Sequence, residues 1–213
     1  LERHYRVGPA SKSLDHPSLA CLAALRTNSI VHLVSEHLLF ECQLPGPIDT
    51  EIGLNTGEVF VGNIGCESRM DYTVIGREVN HAQLLKELNR YYGTSILIGA
   101  GTEVEVRDKF TARMLDRIGI PGLPGSRRIF ELIGETRSIE VRVADALGTF
   151  RDGLADFEIR EWELAETKFK QVLKAVPHDG PSHTYLTRCK EFRKRPPPDA
   201  WDGVFRFPII NDD

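Results

Sequence analysis

The feature that most limits what this chain can fold into is a change of period inside Glu51 to Leu88, EIGLNTGEVFVGNIGCESRMDYTVIGREVNHAQLLKEL. The first part alternates apolar and polar residues, breaks at Asn55-Thr56-Gly57, and alternates again from Val59 to Ile64. That pattern predicts a two-stranded hairpin turning at Asn55-Thr56-Gly57. After Gly76 the period lengthens to about 3.6, because Val79, Ala82, Leu85 and Leu88 fall on one helical face. A hairpin feeding a helix therefore sits at the centre of the chain.

Elements of both kinds surround it. Upstream, Asp15 or Ser18 can cap a helix that tolerates Pro17 in its first turn. Leu19, Leu22, Ala23, Ile30, Leu33 and Leu38 give that helix an apolar stripe suited to packing on a sheet. Pro45-Gly46-Pro47 ends it. Downstream, Tyr92-Gly93 stops the central helix, and Ser95 to Ile98 reads as a short buried strand. A short helix over Thr102 to Asp108 follows, then strands over Phe110 to Ile120 and Arg128 to Ile133 joined by a Pro- and Gly-rich turn. The interleaving predicts an α+β sandwich with helices over a mainly antiparallel sheet. Beyond Glu135 only helical patterns remain, ending in Pro196-Pro197-Pro198 and an aromatic segment from Trp201 to Phe207.

Composition excludes several classes. The 213 residues are 41% hydrophobic and 27% charged. That is the make-up of a globular protein. A net charge of −4 offers no global attraction to nucleic acid, and none is expected as a partner. Cys21, Cys42, Cys66 and Cys189 are scattered without a C-x-x-C pair, and the spacing of the 7 histidines forms no ligand cluster. No membrane segment is expected, since Leu19 to Phe40 is interrupted by Arg26, Asn28, His32, Glu36 and His37. A cytoplasmic location follows as the expectation. Residues 1–14 are an uninformative leader, and the initial Leu1 suggests processing or, more simply, a fragment of a longer reading frame.

The run Gly-x-Asn-Thr-Gly-Glu-Val-x-Val-Gly-Asn-Ile-Gly from Gly53, then Met70-Asp71-Tyr72-Thr73-Val74-Ile75-Gly76 and Val79-Asn80, resembles the C-terminal half of a class III adenylyl/guanylyl cyclase catalytic domain of bacterial type. The match continues through Leu88-Asn89 and Tyr92-Gly93-Thr94 to about Glu135. The resemblance implies a partial ferredoxin-like cyclase sandwich over 15–135. Gly153, Ala165, Phe169 and Pro177 stand at offsets that resemble a tetratricopeptide repeat, which makes 136–195 a TPR-like helical tail and 196–213 a Pro/aromatic terminal segment. Trp162, Leu164 and Leu173 would fill its helix crossing. One repeat and a half cannot form a free-standing solenoid, so the tail must lean on the cyclase-like part or on a partner.

The resemblance also implies chemistry: ATP converted to cyclic AMP and pyrophosphate, with Mg²⁺ or Mn²⁺ as cofactor, in a site shared by the two subunits of a homodimer or of a heterodimer with another cyclase chain. By position, Thr73 corresponds to the base-selecting residue and Asn80 to the ribose-orienting asparagine. Three departures follow from the same comparison. Leu84 stands where the family has its transition-state arginine, and Pro121 falls in the segment where a phosphate-facing lysine is expected. Arg127 and Arg128 lie after that turn and are not expected to substitute. The strands bearing the metal aspartates would precede the Asp15 helix, where only the leader stands. Neither Asp15 nor Asp49 matches them, and Asp71 reads as structural. The expectation is an adenylate cyclase portion that is inactive alone, or alternatively a degenerate cyclase-homology binding module with a docking tail.

Overall fold

The computed structural model describes residues 15–42, 46–66, 69–119 and 125–206. Helix α1 (His16–Cys42) leads into β1 (Ile52–Leu54), β2 (Phe60–Cys66), β3 (Arg69–Ile75) and α2 (Arg77–Tyr92). Then come β4 (Ile96–Gly99), α3 (Ala100–Val106), β5 (Phe110–Gly119) and β6 (Arg127–Glu135). The chain closes with α4 (Val141–Glu158), α5 (Trp162–Ala175), α6 (Gly180–Lys194) and the two-residue β7 (Phe205–Arg206). This is a mixed α+β fold.

Five strands form one sheet in the order β1-β4-β6-β5-β7, while β2 and β3 form a separate ribbon. The long ladders, β4 with β6 and β6 with β5, are antiparallel; the short edge pairings of β1 with β4 and β5 with β7 are parallel. The hairpin expected to turn at Asn55-Thr56-Gly57 is therefore not formed, and a different one, β2 with β3, stands after it. Asn55-Thr56-Gly57 does not turn one strand back on the other: β1 pairs away with β4, and β2 pairs with β3 through Phe60↔Ile75 to Cys66↔Arg69. Alternation marks a strand without naming its neighbour, so the sequence alone points to the nearest Gly-bearing gap as the turn.

Period-two alternation divides β4 between the two faces of the sheet. Leu97 joins a core with Leu85, Leu88 and Tyr92 of α2, Leu115 and Ile129 of the sheet, and Phe150, Phe169 and Tyr185 of the three terminal helices. Ile96 and Ile98 join a second core with Cys21 and Ala24 of α1, Val106 of α3, and Leu132. The molecule is thus layered: α1 and α3 on one side of the sheet, α2 and the helical tail on the other. Burying each of these large side chains contributes about 1.5–3 kcal/mol before the entropy of ordering it is set against that gain.

Two contacts fix α2 on the sheet. A Cβ at Gly53 would overlap the carbonyl oxygen of Ala82, so only glycine lets the helix cross β1 this closely. Asn89 is fully buried, donates to the carbonyls of Ile52 (3.0 Å) and Leu85 (3.2 Å), and accepts from the Thr94 hydroxyl (2.8 Å). The buried stripe of α2 is His81, Leu85, Leu88, Asn89 and Tyr92, rotated from the expected one so that Val79 and Ala82 are only half-buried.

The tail leans on the sheet. Arg188 of α6 pairs with Asp116 of β5, which also accepts from the Tyr92 hydroxyl at 2.7 Å. Arg113 of β5 bridges Glu131 (2.6 Å) and Asp179 (2.5 Å), and the Asp179 carboxylate also caps α6 through the Ser182 amide. Within the tail Gly153 lies against the Phe169 ring and Ala165 is fully buried, but Leu164, expected in that crossing, is 55% exposed. Trp201 packs among Phe157, Trp162 and Phe192, and Phe205 stacks on Tyr91, so the terminal segment docks within the chain as far as Arg206. Phe207 lies outside the described residues.

Helix α1 packs less of its length than its apolar stripe leads one to expect. Its apolar residues pack only in the first half: Cys21 and Ala24 are buried, whereas Ile30, Leu33, Val34 and Phe40 face outward, as does Ala23, and in the second half the buried residue is Ser35, which accepts from the Ile48 amide at 2.6 Å. By length and composition alone, moreover, it is long and apolar enough to cross a membrane, despite the polar interruptions.

Candidate functional site

The junction of β3 and α2 places the residues singled out from the sequence. Thr73 lies in β3 opposite Gly62, and Asn80 lies in the first turn of α2, where its backbone amide donates to the Gly76 carbonyl at 3.3 Å. Both side chains are exposed and have no hydrogen-bond partner among the described residues. Asn80 keeps a donor and an acceptor available, as recognition of a sugar hydroxyl requires. Leu84, one turn on, is half-buried and packs against the core shared by α2 and the tail. No cation occupies that position on the helix. Pro121 lies outside the described residues.

The loop Asn55–Gly57 holds this junction in place. Asn55 donates its amide to the Glu78 carboxylate at 2.7 Å and to the Glu78 carbonyl at 3.2 Å, and the Thr56 and Thr102 hydroxyls are 2.9 Å apart. The conspicuous Asn-Thr-Gly triplet thus ties the beginnings of α2 and α3 together.

On the other side of that loop the start of α2 opens into a cleft of about 990 Å³ that neither Thr73 nor Asn80 lines. Arg77 of α2 and Arg127 and Arg128 of β6 are among its lining residues. All three are exposed and without an ion-pair partner among the described residues. Arg117, also on the wall, is engaged by Glu158 at 3.4 Å and by the Asp202 carbonyl. His81 lines the cleft too; it is 6% exposed, and neither ring nitrogen has a hydrogen-bond partner. Burial, reinforced by the Arg127 guanidinium and opposed by Glu78, holds its pKa below the ordinary histidine value. Sequence reasoning passes over His81 and sets aside Arg127 and Arg128. Helical spacing carries a signal for the first, since positions 81, 85, 88 and 92 form one stripe.

Mg²⁺ or Mn²⁺ does not fit what is described: no three His, Cys, Asp or Glu side chains converge among the described residues. The buried carboxylates of Asp116 and Asp179 are already held by arginines.

No family model matches the chain. In sequence it is 30% identical over 149 residues to the terminal-differentiation-specific adenylate cyclase of Dictyostelium discoideum, covering 67% of this chain and 7% of that protein. It is 32% identical over 95 residues to adenylate cyclase 1 of Rhizobium meliloti, covering 45% of this chain and 14% of that protein. The chain therefore spans only a small part of the length of these relatives. Among solved structures, the adenylyl cyclase CyaB from P. aeruginosa superposes with a TM-score of 0.49 at 25% identity, over 62% of this chain and 66% of that one. The sequence relatives support the likeness to a class III adenylyl/guanylyl cyclase catalytic domain.

Proposed function

We propose that residues 15–135 supply the base-and-ribose side of an adenylate cyclase site, in which the ribose 3′ oxygen bonds to the α-phosphorus of ATP as pyrophosphate leaves. Thr73 would face the base and Asn80 the ribose. The metal-binding carboxylates, and the cations that offset charge on the phosphates, would come from outside the described residues. The observation that carries this reading is the placement of Leu84. The two residues proposed to select the nucleotide are exposed and unpartnered, while the position one turn further along α2 holds an aliphatic side chain turned into the core. Loss of one preorganised donor costs on the order of 10²–10³ in rate, so the chain assayed by itself is silent. In this reading 136–195 is a TPR-like helical hairpin and a half that buttresses the cyclase-like part.

The test is an assay of the purified chain with ATP and Mn²⁺, alone and mixed with a full-length homologue from the same family. No cyclic AMP is expected from the chain alone. Leu84→Arg should raise the yield of the mixture, and Asn80→Ala should lower it. Cyclic AMP from the chain alone would overturn the reading.

A second reading, a binding module that pairs with another cyclase chain, is favoured by the β2–β3 ribbon. Phe60, Met70, Tyr72 and Ile75 are between 49% and 68% exposed on this narrow two-stranded element. An apolar surface of that sort marks an interface. Sedimentation of the chain with and without a cyclase partner tests it, and Tyr72→Ser should abolish any co-sedimentation.

A further inference from the structure

The turn from α4 into α5 holds a backbone feature that the fold alone does not require. Arg160 takes a φ of 70°, the left-handed conformation that a helix stop usually gives to glycine, and among the described residues no other non-glycine has a positive φ. Keeping a side chain there at that cost points to a use for it. The guanidinium reaches across to the segment after α6, where it donates to the carbonyls of Pro198 (2.6 Å) and Asp199 (3.0 Å) and, at 3.5 Å, of Pro197. It also stands 5.7 Å from the centroid of the Trp201 ring. Trp201 in turn is walled by Phe157 of α4, Trp162 of α5 and Phe192 of α6. An aromatic wall beside a fork of donors is how a groove takes a proline run. Each proline ring fixes φ and removes the amide, so Pro196-Pro197-Pro198 is extended before it docks and its carbonyls await a donor.

The rest of the segment adds a strand. Phe205 and Arg206 pair in parallel with Ile118 and Gly119 at the edge of β5, and the Phe205 ring stacks on Tyr91 with the Arg188 guanidinium 4.0 Å from its centroid. The hold is shallow. Val204 is buried, but the larger anchors Trp201 and Phe205 are only half-buried, and Pro196, Pro198, Asp199, Ala200, Asp202 and Arg206 are exposed. The entropy of ordering the whole segment stands against those few contacts. We propose that residues 196–206 are an exchangeable arm whose partner is a second copy of this chain: each arm leaves its own groove and docks, with the same contacts, in the groove of the other copy. A second copy is the occupant because it carries the run that fits the groove, and because reciprocal exchange closes an isologous pair without any new surface. The proline run favours this, since it acts as a stiff spacer that carries the arm away from α6. The proposal does not rest on the cyclase reading, because neither Thr73 nor Asn80 takes part in these contacts.

Sedimentation of the whole chain, and anisotropy with a fluorescein-labelled peptide of residues 195–206, are the tests. The parent should show a dimer that grows with concentration, that Trp201→Ala removes and that excess peptide converts to monomer; the peptide arm of this test needs no variant. In the monomer the tethered arm competes at an effective concentration of about millimolar. The peptide should therefore bind the Trp201→Ala chain, whose own arm is loosened, at least about tenfold more tightly than it binds the parent. A peptide carrying Trp201→Ala should bind at least about thirtyfold more weakly than the native one, as loss of an aromatic anchor does. Arg160→Gly, added to the Trp201→Ala chain, deletes the donors while suiting a φ of 70°, and should weaken peptide binding about tenfold. Circular dichroism of each variant should match that of the parent. Tyr72→Ser should leave this dimer unchanged, which separates it from pairing through the β2–β3 ribbon. An absence of saturable peptide binding to the Trp201→Ala chain, or a dimer that persists in excess peptide, overturns the proposal. So does a chain that binds the peptide but stays monomeric, an outcome that would assign the groove to a proline-rich segment of another protein.

Discussion

The two sides of α2 are completed differently. Toward the tail, buried charges find partners within the chain: Arg188 with Asp116, and Arg113 with Glu131 and Asp179, set among Phe150, Tyr185 and Phe169. On the β2–β3 ribbon, and across the sheet on the second half of α1, large apolar side chains stand in solvent, and three arginines of the cleft have no counter-ion among the described residues. The first side reads as finished architecture. The second reads as surface built to meet something, and both readings of the function fall there.

Removing one half of the Arg188–Asp116 pair should break that contrast most severely. Asp116→Ala would leave a guanidinium buried against Tyr92 and Tyr185 without its carboxylate. Breaking such a pair costs about 3–5 kcal/mol. The urea midpoint should fall accordingly, whereas Arg127→Ala, on the open side, should move it little. A small effect at Asp116 would mean that the tail is held mainly by its apolar contacts.

The pair also shows where the sequence stops being legible. Its partners are 72 positions apart, and nothing in local pattern joins a charge in a β-strand to one in a distant helix. Local signals fared better. The Gly93 stop, the fully buried β4 and the 3.6 period of α2 are readable because each depends on neighbours within a few residues. The pairing of β1 with β4 is not, because parallel partners meet only through the intervening helix. Of the proposed half-site, Thr73 and Asn80 come from motif likeness, and the structure adds that both are exposed. The cleft is invisible in the sequence because Arg77 and Arg127 are separated by two strands and two helices and converge only in the fold.

Next in size is the seam between α2 and α6. A methyl on Gly180 would overlap the carbonyl oxygens of Tyr92 and Gly93, so the tail could not seat without moving. Gly180→Ala should cost about 1–3 kcal/mol, as overpacking does. Hydrogen exchange is expected to rise first in α6, which would show the seam opening ahead of the sheet.

The entry to α1 should have a smaller, pH-dependent effect. Lys109 and Ser18 bond to the Asp15 carboxyl and lower its pKa from 3.8 to about 2. Because the folded value lies below the unfolded one, the contribution is complete above about pH 4 and is lost as pH falls through 2. Asp15→Ala should therefore reduce stability by about 1 kcal/mol at pH 7, the usual worth of an N-cap. That loss should shrink as pH falls toward 2 and through it. Thermal midpoints at the two pH values check this.

The smallest effect is expected on the β2–β3 ribbon. Phe60 is 61% exposed and Tyr72 is 68% exposed, so replacing either with serine removes little buried apolar area. Monomer stability should shift by about 0.5 kcal/mol at most, as it does for surface substitutions. Phe169, fully buried in the sealed core, sets the other extreme. Cutting such a side chain to alanine costs about 3–5 kcal/mol. If the ribbon variants instead unfolded the chain at low concentration, those aromatics would be carrying structure and the ribbon could not be a free surface. If stability held while association with a cyclase chain was lost, the open side of α2 would be identified as the face that a partner completes.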